Sequence, residues 1–173
     1  RFKKSDLRKH IGVVPQEPIL FNQSIEYNIG YGMENGTKKD IEKAAKLALL
    51  DKFIKSLPNK YKTKVGERGI KLSGGQKQRM AIARMILSNP EIIIFDEATS
   101  QLDSESEKKI QKAFWKAAKN KTTIIIAHRL STITKADRII VMEEGKIIET
   151  GSHQELTTKE DSRYNQFWKL QTK

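Results

Sequence analysis

The stretch Lys71–Leu87, KLSGGQKQRMAIARMIL, decides the fold of this chain. Near its start, Ser73 is followed by the glycines Gly74 and Gly75, so several backbone N–H groups are unobstructed by side chains. The residues that follow have the pattern of a helix. A helix N-terminus with bare amides and a serine hydroxyl suits an anion, above all phosphate. For Ser-Gly-Gly alone a plain helix cap is the alternative, but the full motif, with basic residues after it and an acidic strand end later on, favours phosphate.

The composition is that of a globular protein with one ordinary domain. The chain has 173 residues, of which 37% are hydrophobic and 31% charged, enough for a real core. It has no cysteine, which excludes disulfides, thiolate metal sites and cysteine nucleophiles. The longest aliphatic runs, Ile92–Phe95 and Ile124–Ala127, are too short to span a bilayer. The start, RFKKSDLRKH, has no secretory signal pattern and no initiator Met, and we expect it to lie inside a longer protein.

The net charge is strongly positive, at +12. Nucleic acid, an anionic membrane face or nucleotide phosphates could each attract such a surface. The lysines are, however, spread along the chain and do not alternate with aromatic residues as they do in single-strand-binding proteins. We therefore expect a solvated lysine-rich surface, and the charge alone does not decide whether nucleic acid is a partner; none is expected from the chain as a whole.

The segment from Phe21 to Asn89 is predicted to be mostly helical. Ser24 can cap a helical turn, and Thr37 can cap a helix that carries Asp40 in its first turn. A short helix over Asp51–Ser56 ends before a proline.

Strands and helices alternate in the rest of the chain. A short strand precedes Pro15, and the run Ile92–Phe95 is expected to be a parallel strand buried on both faces. An amphipathic helix, Ser104–Ala118, leads to a second apolar strand, and a closing helix covers residues 162–171. Two further strands, residues 137–142 and 146–150, flank a Glu144-Gly145 turn. This alternation predicts an α/β fold with an open, mostly parallel sheet, into which the helical segment is inserted.

Polar residues follow the predicted strands at their carboxyl ends, where the functional groups of such sheets gather. Gln16 follows the first strand, Asp96-Glu97 follow Ile92–Phe95, and His128 follows the next. A solvated pair is the simple explanation for one carboxylate, but two beside a buried strand are costly without a cation. Phosphoryl transfer uses such a pair, one carboxylate to hold Mg²⁺ and the other to position the attacking water.

The other histidines and the two tryptophans have no such setting. His10 and His153 are predicted to be surface residues, and Trp115 and Trp168 to be packing residues.

Taken together, these motifs resemble an ATP-binding cassette from end to end. They are VVPQEPILF around Gln16, LSGGQ at Leu72–Gln76, IIIFDE at Ile92–Glu97, SQLD at Ser100–Asp103 and IIIAHRLST around His128. The resemblance implies a P-loop NTPase (RecA-like) core with an inserted helical subdomain. Residues 1–20 and 90–173 would form the core, and residues 21–89 the subdomain that ends in the signature helix.

The resemblance also implies roles for these residues, with ATP and Mg²⁺ as cofactors. Glu97 would be the general base, Asp96 the Mg²⁺-supporting aspartate, Gln16 the glutamine that reaches metal and water, and His128 the histidine at the γ-phosphate. Ser73, Gly74, Gly75 and Gln76 would contact ATP that is bound to a second cassette, so a dimer is expected. Ser100 and Asp103 would lie in the loop that touches this partner, where Gln101 replaces the more usual alanine.

A further motif points to the exporter class. Residues 63–69, TKVGERG, resemble the loop that precedes the signature motif in exporters and lies near their transmembrane domain. The stretches IGVVPQ, LFNQSIEYNIGYG and YNQFWKLQ resemble the mitochondrial and heavy-metal-tolerance half-transporters. A transmembrane partner and a location on the cytoplasmic or matrix-equivalent face of a membrane follow from this resemblance.

One departure from the family pattern matters most. The sequence contains no Walker A string, GxxxxGK[ST], which cradles the β- and γ-phosphates. The expected cause is a missing N-terminal part, which would leave a sheet edge and apolar surface uncovered. We expect that the 173 residues alone neither bind ATP tightly nor hydrolyse it.

Two other classes compete with the exporter. One is a soluble cassette ATPase that acts on nucleic acid or the ribosome, and the other is an inactive fragment kept for dimerisation. Chromosome-type cassettes separate the Gln16 and signature segments by long coiled coils, whereas here only a compact helical segment intervenes. The transported substrate and the choice between homo- and heterodimer are not encoded in these residues.

Overall fold

The computed structural model describes residues 3–33, 36–96, 104–127 and 129–172. They form two compact units, Arg1–Ile126 and Ala127–Lys173. The elements of the first unit are α1 (Lys4–Lys9), β1 (Ile11–Val14), α2 (Ile25–Gly30), α3 (Lys38–Leu47), α4 (Asp51–Ser56), α5 (Gly74–Ser88), β2 (Ile92–Asp96), α6 (Ser104–Ala118) and β3 (Thr122–Ile126). Those of the second are β4 (Ile139–Glu143), β5 (Lys146–Gly151), α7 (His153–Thr158) and α8 (Arg163–Gln171). Single 3₁₀ turns lie at Lys60–Lys62, Glu67–Gly69 and Leu130–Thr132.

The first unit is built on a parallel sheet with the strand order β1-β2-β3. In its register Val14 pairs with Phe95, and Asp96 pairs with Ile126. The connection from β2 to β3 passes through α6 and forms a β-α-β unit. The predicted α/β class with a parallel sheet and a helical segment between β1 and β2 is confirmed.

One face of this sheet holds the core of the unit. Ile93 and Phe95 of β2 are fully or almost fully buried, together with Ile82 of α5 and Phe114 of α6. The rings of Phe95 and Phe114 lie 4.1 Å apart between centroids. Trp115 packs against the same cluster, as predicted.

The opposite face of the sheet is open to solvent. Val13 of β1 is 52% exposed, and Ile124 and Ile126 of β3 are 52% and 50% exposed. The expectation that Ile92–Phe95 is buried on both faces was wrong, because Ile92 and Ile94 on this face are only half-buried. An apolar run looks the same in sequence whether one or both of its faces are covered.

Local side-chain caps start α2 and α3, as the sequence predicted, whereas α4 has none. Ser24 accepts a hydrogen bond from the amide of Tyr27 at the start of α2. Thr37 and Asp40 form a reciprocal capping box at the start of α3. Such caps satisfy amides that have no partner within the helix.

The second unit contains a β-hairpin, because β4 and β5 pair antiparallel in a sheet of their own. The sequence pattern placed these strands with the mostly parallel sheet and predicted no direction for their pairing. The two residues of the turn, Glu144 and Gly145, both have positive φ angles, +50° and +75°. Two such residues form the tight turn that joins antiparallel strands.

A small separate core closes this unit. Ile139, Leu156 and Tyr164 are buried, and Trp168 packs against them as predicted. His153 is half-buried, with its ring nitrogen Nδ1 2.9 Å from the Tyr164 hydroxyl oxygen and its ring 4.6 Å from that of Trp168. Its assignment to the surface was therefore wrong, whereas His10 is exposed as expected and pairs with Glu91.

Candidate functional site

The carboxyl ends of the three parallel strands lie side by side. Gln16 stands two residues after Val14, which pairs with the residue before Asp96. Asp96 is half-buried at the end of β2 and pairs with Ile126, the last residue of β3. The register thus brings the backbone positions of Gln16 and Asp96 to the same edge of the sheet.

Several predicted site residues lie outside the described part of the chain. They are Glu97, Ser100, Asp103 and His128. Glu97 follows Asp96 directly, and His128 stands two positions after the last residue of β3. Their roles stay predictions.

The oxygen donors at this edge fit Mg²⁺. Asp96 offers a carboxylate and Gln16 a side-chain carbonyl, and a hard cation of this kind prefers such oxygen ligands. Within the described residues, no group of three or more His, Cys, Asp or Glu side chains is placed to hold a metal ion. Any Mg²⁺ bound here would thus depend on ligands beyond Asp96 and Gln16, such as phosphate oxygens and water.

The signature motif is the LSGGQ sequence at Leu72–Gln76, and its last three residues begin helix α5. The Ser73 hydroxyl oxygen accepts a hydrogen bond from the Gln76 amide at 3.3 Å, and Oε1 of Gln76 accepts one from the Ser73 amide at 2.9 Å. This capping box occupies the two side chains, while Gly74 and Gly75 contribute first-turn amides that have no partner within the helix. Ser73 and Gly74 are exposed. An anion could therefore approach the N-terminus of this 15-residue helix from solvent.

Gly75 lies directly against α6. A Cβ atom at this position would stand 2.9 Å from both Cβ and Oγ of Ser106. Only a glycine lets the two helices approach this closely. The second glycine of the motif is thus explained by packing, independently of any ligand.

Gln78, two residues beyond the motif, connects α5 to the end of β1. Its side chain is 4% exposed. Nε2 donates to the carbonyl oxygens of Pro15, at 3.2 Å, and of Gln16. Oε1 is buried and has no hydrogen-bond partner in the described part of the chain.

Arg79 anchors α5 to the loop that follows α3. Its Nε donates to the Gly75 carbonyl oxygen at 3.2 Å, and its Nη1 to that of Leu49 at 2.6 Å. Burial lowers the pKa of Arg79. The guanidinium thus fixes the backbone at Leu49, although removing this charge from water costs free energy.

Arg84 connects the same helix to the segment after Gln16. Nε donates to the Asn28 carbonyl oxygen at 2.9 Å, and Nη1 to that of Ile19 at 3.3 Å. Burial lowers the pKa of Arg84, and the opposing influence of Tyr31 is smaller. Its guanidinium carbon lies 5.5 Å from the centre of the Tyr31 ring, a cation–π distance.

Next to Arg84 is a group of apolar and aromatic side chains that we call the aromatic patch. Its members are Ile19, Phe21, Tyr27 and Tyr31. Ile19 is 73% exposed, and the Phe21 and Tyr31 rings lie 4.4 Å apart between centroids. An exposed apolar group of this kind is a candidate interaction surface.

Sequence reasoning missed the buried Gln78 and Arg79 and the half-buried Arg84 of α5. They were not singled out, although polar residues within a largely buried helix are a recognisable signal. Apart from the Gly75 carbonyl, which is four positions from Arg79, their partners are backbone carbonyls 30 to 65 positions away in the chain, which no local pattern reveals.

Comparison with known proteins identifies the family. The family model described as ABC transporter matches residues 2–100, and the chain belongs to this family. It is 54% identical over 164 residues to the ABC transporter ATM1 of Toxoplasma gondii, covering 95% of this chain and 14% of that protein. It is 51% identical over 165 residues to the mitochondrial iron-sulfur clusters transporter ABCB7 of Danio rerio, covering 95% of this chain and 22% of the relative.

Comparison with a solved structure supports the same family and the α/β fold. The structure of a bacterial Atm1-family ABC exporter with ATP bound matches with a TM-score of 0.89 and 47% identity, covering 98% of this chain and 29% of the exporter chain. The chain thus spans less than a third of the length of each of these proteins. No helix in the described residues is long and apolar enough to cross a membrane.

Proposed function

We propose that this chain is part of the nucleotide-binding domain of an ABC exporter, which binds and hydrolyses ATP to power transport across a membrane. The observation that carries the proposal is the register of β1, β2 and β3, which brings the polar residues after adjacent strands to one edge of the sheet. The family match and the likeness to an ATP-bound exporter support it.

At this edge each side chain has a separate task. Asp96 and the side-chain carbonyl of Gln16 hold Mg²⁺, which when bound neutralises charge on the phosphate oxygens. Glu97 accepts the proton of the attacking water, and His128 donates a hydrogen bond to the γ-phosphate. The core division into residues 1–20 and 90–173, with residues 21–89 as the helical subdomain, belongs to the same proposal.

The signature motif acts on a second cassette. The amides of Gly74 and Gly75 at the start of α5, with Ser73 and Gln76 beside them, bind the γ-phosphate of ATP that the partner holds. Ser100 and Asp103 contact the same partner. Each ATP then lies between two cassettes, so ATP binding favours the dimer and hydrolysis releases it.

The transmembrane domain is the second partner. The aromatic patch and the adjoining Gln16 loop offer exposed apolar surface tied by Arg84 to the signature helix. We assign this surface to contact with a transmembrane domain, which places the chain on the cytoplasmic or matrix-equivalent face of a membrane. The Atm1 type of exporter is the subclass that we propose, in line with the matched structure.

The test uses a full-length protein that carries this segment. In it, Glu97→Gln should preserve ATP binding, abolish hydrolysis and hold the dimer together with ATP, as measured by nucleotide binding, phosphate release and sedimentation. Normal turnover in this variant would contradict the general-base role. The 173-residue chain, which has no Walker A string, serves as the control that should show no turnover.

A further inference from the structure

We propose that Gln78 is a positioning residue that sets where Gln16 leaves the sheet relative to the signature motif. The inference rests on the proposed roles of Gln16 and of Ser73–Gln76. It goes beyond them because Gln78 itself belongs to none of the motifs that touch nucleotide or metal.

The contacts of Gln78 define a direct connection between two parts of the site. Nε2 donates to the backbone carbonyls of Pro15 and Gln16. The same residue stands on α5 two positions after Gln76. The backbone of Gln16 and the start of the signature helix are therefore held together by one carboxamide, across 62 positions of sequence.

The orientation of this carboxamide is fixed by its surroundings. Two carbonyl oxygens face Nε2, so the amide group cannot be reversed without placing oxygen against oxygen. Oε1 consequently points into a buried position, where it has no partner in the described part of the chain. An unpartnered buried acceptor is unfavourable for folding.

Two bonds from Nε2 together with an unpaired Oε1 distinguish a positioning role of Gln78 from a purely stabilising one. A residue kept only for stability would not leave an acceptor unpaired, since an apolar side chain of similar size would avoid that cost. Methionine matches the length of glutamine without its polar atoms. Gln78→Met removes the unpaired Oε1 but also removes the donor that the Pro15 and Gln16 carbonyls share, so the two effects on stability oppose each other.

The first measurement is backbone hydrogen exchange in the 173-residue chain. Gln78→Met should accelerate exchange at the amide of Val14, the buried last residue of β1, about tenfold, which corresponds to about 1.4 kcal/mol. Exchange in α6 should be unchanged. Gln154→Met, at an exposed position of α7, is the matched control and should alter neither region.

A second variant, Gln78→Glu, tests the same proposal if Gln78→Met does not fold. In Gln78→Glu the side chain retains its shape, and its neutral form has one O–H donor while its ionised form has none. Exchange at the Val14 amide, taken relative to the wild type at each pH, should be closer to normal in acid and should rise as the carboxyl group ionises. Exchange at this amide that equals the wild type in both variants and at every pH would overturn the proposal.

Measurements of ATP hydrolysis distinguish the positioning role of Gln78 from the proposed role of Gln16 on which it rests. In a full-length protein, Gln78→Met should lower kcat for ATP hydrolysis several-fold and leave KM for ATP nearly unchanged. An equal loss through KM would contradict a positioning role. If Gln16→Ala in the same protein leaves turnover intact, the proposed role of Gln16 fails, whereas faster exchange in Gln78→Met would still establish the contact.

Discussion

Gly75 of the signature motif and Ser106 of α6 are so close that a Cβ atom on Gly75 would stand 2.9 Å from the Ser106 side chain. We expect Gly75→Ala to lower the free energy of unfolding by about 1–3 kcal/mol, because the added methyl group overpacks the contact between α5 and α6. Urea unfolding measures this change. Gly74→Ala, at the neighbouring exposed position, is the control and should be nearly neutral. Equal effects of the two substitutions would contradict the packing role of Gly75.

The capping box of α3 makes stability depend on pH. Hydrogen bonds from the Thr37 hydroxyl, above all, and from the Thr37 amide lower the pKa of Asp40 from its usual 3.8. Since the folded-state pKa is the lower one, this stabilisation is present above the unfolded pKa and is lost as the pH falls through the folded one. We expect the advantage of the wild type over Asp40→Asn to shrink on acidification below about pH 4.

Thermal unfolding of both proteins as a function of pH tests this expectation. Thr37→Val removes the hydroxyl donor and should flatten the same part of the pH profile. A difference between wild type and Asp40→Asn that does not vary with pH would disprove the assignment.

The aromatic patch leads to a prediction about the coupling between ATP hydrolysis and transport. In a full-length protein, Tyr31→Ala removes the ring that packs on Phe21 and lies beside Arg84. We expect transport per ATP hydrolysed to fall several-fold, because the proposed contact with the transmembrane domain loses apolar surface while the nucleotide site is untouched. Transport and phosphate release are measured side by side. Tyr31→Phe keeps the ring and should behave as wild type, and an unchanged ratio in Tyr31→Ala would count against this contact.

The open face of the sheet predicts association of the isolated chain. Val13, Ile124 and Ile126 expose about half of their side chains on it. We expect the 173-residue chain to self-associate with rising concentration, and Ile124→Lys to weaken that association, as followed by sedimentation. Thr122→Lys adds the same charge to β3 without removing apolar surface and should have the smaller effect. Equal sedimentation of the two variants would argue against association through the open face of the sheet.

Local signals predicted most of the fold. Ser24, Thr37 and Ser73 mark helix starts, since a cap acts within a single turn of the chain. The direction in which β4 and β5 pair was not predicted, although the two-residue turn Glu144-Gly145 contained the signal.

The candidate site was predictable only in its motif residues. Gln16 and Asp96 stand after strands that the sequence identified, and parallel pairing brings strand ends together. The bonds of Gln78 and Arg84 were not predictable, because they join side chains to backbone carbonyls far away in the sequence. Such contacts depend on how segments pack, which local propensity does not determine.

The length of the signature helix, which α6 equals, has a mechanical consequence. Its 15 residues span about 22 Å as a rigid rod. Gln78 fastens the rod near its first turns to the end of β1, and Arg84 fastens it farther along to the carbonyls of Ile19 and Asn28. A tilt of about 10° would displace one end by about 4 Å relative to the other, by the length of a helix of this size. A small rotation at the proposed phosphate-binding end of the helix would thus become a displacement at the aromatic patch.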